Sequence, residues 1–249
     1  GFEMYSIVSK VVGAVPKKIM EDVNFNLNIE NLIDQTNDAT KVIYIASPNN
    51  PTGTYLSRDQ LVKLMNSISK NIIVVIDGAY VEYVQKDDYD KGFSLTDEYE
   101  NIILTRTFSK TYGLAALRVG WCYTSQKIAD IINKIKPPFN TTTISQSLAI
   151  KALEDKEHIE NSVKLNSEIK NWFEKELKLL NIKTRQTEGN FTLIETSEEE
   201  AEKISNHLMN DGIIIRRLNS YNLPNFLRIS IGTKEEMDLT VESLKKLNV

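Results

Sequence analysis

Five aliphatic residues in succession, Ile72-Ile73-Val74-Val75-Ile76, run into an acid, Asp77, and then into Gly78-Ala79-Tyr80. A strand with one wet face alternates apolar and polar residues, whereas an unbroken apolar run has both faces covered, as in a parallel sheet flanked by helices. Asp77 closes the run at its carboxyl end, which is where open α/β sheets bind their ligands. Two other segments share this form. Val42-Ile43-Tyr44-Ile45-Ala46 empties into Ser47-Pro48-Asn49-Asn50-Pro51-Thr52-Gly53, a turn built from proline, asparagine and glycine. Asn101-Ile102-Ile103-Leu104-Thr105-Arg106 reads as a short buried strand that delivers Thr107, Ser109 and Lys110 into a loop. After Gly53, Ser57 can cap a helix whose Leu61, Leu64, Met65 and Ile68 recur at helical spacing. Strand-like and helix-like segments alternate in this way to about residue 135, which predicts an α/β fold with a mainly parallel sheet and crossover helices.

The three strand ends carry the chemistry. Lys110 stands beside the hydroxyls of Thr107 and Ser109, and Arg118 follows eight residues later. An arginine can hold a phosphate through two parallel hydrogen bonds, and a lysine next to it suits a Schiff base to a phosphorylated aldehyde such as pyridoxal phosphate. Asp77 can keep a pyridine nitrogen protonated, and Tyr80 can donate to the ring oxygen. Taken singly these residues are ordinary: Lys110 a solvated lysine, Asp77 a cap or turn residue, Asn50 a turn asparagine. Their arrangement at the ends of neighbouring strands is what sets them apart.

The chain resembles the fold-type I, class I/II pyridoxal-phosphate-dependent aminotransferases, and among them the histidinol-phosphate aminotransferases. SPNNPTG at 47–53, DGAY at 77–80, RTFSK at 106–110, LRVGW at 117–121 and LRISIGT at 227–233 carry the likeness. The resemblance implies that Lys110 forms the internal aldimine and shuttles the proton. Asp77 then pairs with the pyridinium, Asn50 and Tyr80 with the ring oxygen, and Thr107, Ser109 and Arg118 with the cofactor phosphate. An aromatic residue stacks on the ring, for which Phe2 is the first choice and Tyr5 the second. Arg228 is implied for the substrate's acid group or phosphate, and Arg216, beside Arg217, for the phosphate of a phosphorylated amine. The implied reaction is transamination of L-histidinol phosphate with 2-oxoglutarate in histidine biosynthesis, by a homodimer with small-molecule amine and 2-oxo acid substrates.

Gly78 stands where that family usually has glutamate. The resemblance also places roughly the first third of a full-length enzyme ahead of Gly1, including a phosphate-binding turn at a helix amino terminus. Cofactor phosphate binding within this chain then rests on Thr107, Ser109 and Arg118. Two alternatives stay open. One is an enzyme using the same cofactor on another phosphorylated amine or an aromatic amino acid, including a threonine-phosphate decarboxylase, because shared cofactor motifs do not fix the substrate. The other is a truncated fragment that keeps the fold without turnover.

Composition narrows the setting. A net charge of -4 with interspersed lysine and glutamate gives no basic patch for nucleic acid. Cys122, the one cysteine, rules out an intrachain disulfide and points to a reducing compartment. His158 and His207, the only histidines, are expected at the surface, and no metal cluster can be built from them. No apolar stretch approaches the ~20 residues of a membrane span, and the start lacks the pattern of a signal peptide, so the expected location is cytoplasmic. Prolines at 137 and 138 interrupt the pattern, dividing an expected large cofactor-binding domain, 1–137, incomplete at its amino end, from a small carboxyl-terminal α+β domain, 138–249. In the latter a helical region over 144–180, with a break near Asp155 and its apolar positions read as core, precedes a strand at 190–195. A helix at 198–211, strands at 213–217 and 227–231 and a helix at 234–247 complete a domain that can close over the site.

Overall fold

A computed structural model of the chain describes residues 2–247. Residue 1 and residues 248 and 249, at the outer ends of the two expected domains, lie outside the described residues. The chain divides into two compact units, one of Gly1–Asn50 with Thr54–Ile159, the other of Pro51–Gly53 with Glu160–Val249.

In the first unit the helices α1 (Glu3–Val11) and α2 (Ile29–Asp34) lead to β1 (Val42–Ala46), α3 (Arg58–Ser67), β2 (Ile73–Asp77), α4 (Phe93–Glu98), β3 (Ile102–Thr107) and β4 (Gly120–Thr124). The helices α5 (Gln126–Ile135) and α6 (Thr143–Glu154) follow. The strands form one sheet in the order β1-β2-β3-β4. β1, β2 and β3 run parallel, as their aliphatic runs predict, whereas β4 returns antiparallel to β3. The fold is α/β, with a mainly parallel sheet and helices between its strands. Ile43, Ile45, Val74, Ile76, Ile102 and Leu104 form the fully buried face, and α2 and α3 cover it with Ile29, Leu32, Leu61, Leu64 and Met65. Ser57 caps α3 as expected, and Gln60 reciprocates, so the helix starts on a complete capping box.

The second unit holds α7 (Lys156–Leu179) from Glu160 onward, β5 (Lys183–Arg185), β6 (Phe191–Glu195), α8 (Glu198–Asn210), β7 (Arg216–Leu218), β8 (Leu223–Ser230) and α9 (Lys234–Lys246). Its sheet, in the order β5-β6-β8-β7, is antiparallel throughout. Phe173 and Leu177 of α7, Ala201, Ile204 and Leu208 of α8, and Met237, Val241 and Leu244 of α9 pack against Ile194, Leu227 and Ile229 of that sheet. Capping boxes start both α8, from Ser197 to Glu200, and α9, from Thr233 to Glu236. The acidic run at 198–200 forms the first turn of α8, where carboxylates oppose the positive end of the helix dipole.

Several expectations need adjustment. The helical region is broken at Asp155, as its sequence suggests, but its apolar positions are not all core. Ile144, Leu148, Ile150 and Leu153 are exposed, because the buried side of α6 is formed by the small residues Ser145 and Ala149, and Leu165 of α7 is exposed as well. The Ser145 hydroxyl donates to the Leu117 carbonyl at 2.9 Å, a closeness that a larger residue there would prevent. The short β5 has no strand signal of its own and exists through pairing with β6. The two compact units part at Ile159 and Glu160, inside α7. Among the described residues no helix is long and apolar enough to cross a membrane.

Leu104 is fully buried in the middle of β3, whereas Tyr123, on the adjoining β4, is 45% exposed. Leu104→Ala is expected to destabilise the chain by about 2–5 kcal/mol in denaturant unfolding, and Tyr123→Ala by less than about 1 kcal/mol.

Candidate active site

Parallel pairing sets Ala46 against Asp77 and Asp77 against Thr105, so the carboxyl ends of β1, β2 and β3 lie side by side. The loops leaving those ends carry Asn50, Tyr80 and Lys110. Lys110 Nζ sits 5.3 Å from the centre of the Tyr80 ring, within the range of a cation–π contact. Tyr80 is buried, and its carbonyl accepts from Tyr83 N in the short 3₁₀ turn that follows. Asp77 ends β2 half-buried, and its Oδ2 accepts a 2.6 Å hydrogen bond from the Tyr5 hydroxyl.

The loop that presents Lys110 is held at several points. Phe108 is buried and its ring tilts against Tyr112 at 4.9 Å. The Leu114 amide donates to the Phe108 carbonyl and the Gly113 amide to the Lys110 carbonyl, both at 2.9 Å. The Ser109 amide donates to Thr107 Oγ1 at 3.0 Å, so these two hydroxyl residues lie together at the start of the loop. Arg118 is exposed, adopts φ 50°, and its Nη1 donates to the Ala115 carbonyl at 2.8 Å. Thr111 Oγ1 reaches Glu82 Oε2 at 3.4 Å, and the Thr111 carbonyl meets His158 Nε2 at 3.2 Å. His158 is thus exposed, as expected, but engaged. His207 is half-buried rather than at the surface, its Nε2 2.9 Å from the Ser243 carbonyl, because α8 packs beside α9.

Phe2 lies at the start of α1, 40% exposed and edge-on to the Tyr5 ring at 6.0 Å. In the second unit, Arg216 of β7 and Arg228 of β8 are direct cross-strand partners, which puts both side chains on one face of the sheet. Arg228 also lies over the Phe191 ring at 5.3 Å. The neighbouring Arg217 pairs with Leu227 in the sheet and approaches Glu202 at 3.6 Å. The turn at 51–53 belongs to this unit, where Gly53, at φ 75°, has its Cα against Thr187 and its carbonyl accepting from Glu188 N at 2.8 Å. A side chain there would suffer both the left-handed φ and overlap with Thr187.

Arg106 is the important residue that the sequence reading left without a role. It is only 6% exposed; its Nη1 donates to the Thr105 carbonyl at 2.8 Å, its Nη2 to the Lys91 carbonyl, and its guanidinium lies near the rings of Phe93 and Trp121. A Cβ at position 78 would overlap the Arg106 guanidinium, so Gly78 is the space into which this arginine fits. The signal was present in the alternation Ile102, Leu104, Arg106, which sends the arginine to the buried face of β3. Burial pushes the Glu82 carboxyl above its ordinary value, opposed by its own backbone hydrogen bond, by Arg106 and Lys91, and by the Thr111 hydroxyl.

Residues 1–244 match the family model for aminotransferase class I and II. The chain belongs to this aminotransferase family. It is 42% identical over 242 residues to histidinol-phosphate aminotransferase of Pelagibacter ubique, a match covering 95% of this chain and 66% of that protein. It is 39% identical over 240 residues to the histidinol-phosphate aminotransferase of Zymomonas mobilis, covering 95% and 65%. The chain therefore spans slightly under two thirds of these curated relatives. A crystal structure of histidinol-phosphate aminotransferase from Sinorhizobium meliloti in complex with pyridoxal-5'-phosphate superposes with a TM-score of 0.92 at 25% identity, covering 100% of this chain and 68% of that one.

In this member of the aminotransferase family, Glu82 offers a pH test. A carboxyl raised by folding binds its proton more tightly in the folded chain, so its stabilising contribution is present below the ordinary glutamate value of 4.5 and is lost as pH rises through the raised value. Glu82→Gln is expected to raise the thermal midpoint near neutral pH, with the gain over wild type shrinking as pH falls toward 4.5.

Proposed function

We propose that this chain is the pyridoxal-phosphate-binding part of an aminotransferase that moves the amino group of L-histidinol phosphate to 2-oxoglutarate, giving imidazole acetol phosphate and glutamate. The observation that carries the reading is Lys110 Nζ over the buried Tyr80 ring, in a unit where Asp77 closes the neighbouring strand. The donor set matches the cofactor group by group. A carboxylate at Asp77 suits a pyridinium nitrogen, the Tyr80 phenol and Asn50 amide suit a ring oxygen, and the hydroxyls of Thr107 and Ser109 with the guanidinium of Arg118 suit a phosphate. Phe2 is the aromatic proposed to stack on the ring.

Bound there, pyridoxal phosphate supplies an aldehyde and an electron-withdrawing ring. Lys110 Nζ is the attachment point, and afterwards the base that moves the proton on the amine-bearing carbon of the substrate. Asp77 holds positive charge on the ring nitrogen, which sets the strength of the electron sink. In the second unit, Arg216 and Arg228 are direct cross-strand partners, so two guanidinium-bearing side chains start from one face of the sheet. That pairing supports Arg216 and Arg228 as the binding group for phosphate or carboxylate, and so supports a phosphorylated amine alternating with a 2-oxo acid. With this function we propose a homodimer in the cytoplasm, in keeping with the family resemblance and with a single cysteine.

The reading is tested by titrating the chain with pyridoxal phosphate and following its visible absorption. Lys110→Ala is expected to lose the absorption that wild type develops; an unchanged spectrum contradicts the assignment. Arg216→Ala is expected to weaken L-histidinol phosphate by roughly 10–100-fold, the worth of a lost charge-assisted hydrogen bond, and glutamate by less. Equal losses for both ligands would move the phosphate contact to other residues.

A further inference from the structure

Tyr5 is the second choice of the sequence reading for the ring-stacking aromatic, yet its surroundings describe a different task. Its hydroxyl donates to Asp77 Oδ2 at 2.6 Å, the length of a charge-assisted O–H···O bond to a carboxylate. Its ring lies nearly parallel to that of Tyr44, with centroids 5.0 Å apart and 14° between planes. Tyr44 sits at the middle of β1, opposite Val75 of β2, two residues before the end of the strand that Asp77 closes. Tyr5 is thereby held by a rigid strand on its flat side and ends on a carboxylate at its tip. The helix that carries it, α1, has no buried residue, so these contacts matter more to its seat than they would for a helix packed into a core.

We propose that Tyr5 is a positioning residue for Asp77. Its hydroxyl fixes the rotation of the Asp77 carboxylate, so that the acid meets the pyridine nitrogen of the cofactor in a set orientation, while Tyr44 fixes Tyr5. This rests on the function proposed above and adds a residue that acts on the cofactor only through Asp77. It leaves Phe2 as the aromatic for the ring face. The arrangement also ties the seating of α1 to the grip on the cofactor, since displacing the helix withdraws the hydroxyl from the carboxylate.

The test uses pyridoxal phosphate itself, with wild type, Tyr5→Phe, Asp77→Asn and the double variant. Tyr5→Phe keeps the ring on Tyr44 and removes only the donor. It is expected to raise the dissociation constant of pyridoxal phosphate roughly tenfold, and to shift the pH at which the visible absorption of the bound cofactor changes. In the Asp77→Asn background the same change is expected to add nothing further, the non-additivity of residues that act as one unit. Should Tyr5→Phe also lower the unfolding midpoint of the cofactor-free chain, that background still decides, because a purely structural role weakens binding equally with or without the carboxylate. Wild-type affinity and an unshifted pH profile in Tyr5→Phe overturn the proposal, as do equal losses in the two backgrounds. A wild-type chain that develops no visible absorption with pyridoxal phosphate overturns the proposed function and this inference with it. That failure is told apart because it appears before any variant is made.

Discussion

Parallel pairing of β2 with β1 and β3 is the constraint on which the rest of the first unit depends. With three strands pointing the same way and their ends level, the loops after Ala46, Asp77 and Thr107 must all open on one edge of the sheet. An acid, a phenol, an amide and a lysine that are far apart in the chain are placed there by backbone hydrogen bonds and by a buried aliphatic face. The fold supplies the arrangement, and the side chains supply the chemistry.

Buried charge is the second theme. Arg106 lies inside the first unit with its donors given to backbone carbonyls and its flat guanidinium beside two aromatic rings, a way of satisfying a cation without a direct carboxylate bond. It can do so because position 78 has no side chain. Burial lowers the pKa of Arg106, and the neighbouring Tyr89, Glu82 and Asp77 oppose that shift. This arginine ties the end of β3 to the Lys91 carbonyl and fills the space beside Gly78, directly after β2. Position 78 is thus a glycine whose missing side chain leaves the space that the Arg106 guanidinium fills.

Much of this was legible in the sequence. Unbroken aliphatic runs disclosed β1, β2 and β3, and Ser57 disclosed the start of α3, because strand burial and helix capping are local effects. Lys110, Asp77 and Tyr80 stood out through the form shared by the segments that carry them. What the sequence could not show depends on distant partners. The antiparallel return of β4, the existence of β5 and the exposure of Ile144 and Leu148 on α6 follow from how elements meet, to which apolar content is blind. The bond from Tyr5 to Asp77 joins residues 72 positions apart and has no pattern to announce it.

The central claim is that Lys110 is the residue that bonds the cofactor aldehyde, and chemical trapping tests it most directly. Borohydride added to the chain in the presence of pyridoxal phosphate reduces the C=N bond to a stable secondary amine, and peptide mass spectrometry then locates the added group. The account predicts a pyridoxyl phosphate group on Lys110, formed at cofactor concentrations that leave the exposed lysines unmodified. A group spread over surface lysines, or fixed on one lysine other than Lys110, would contradict it.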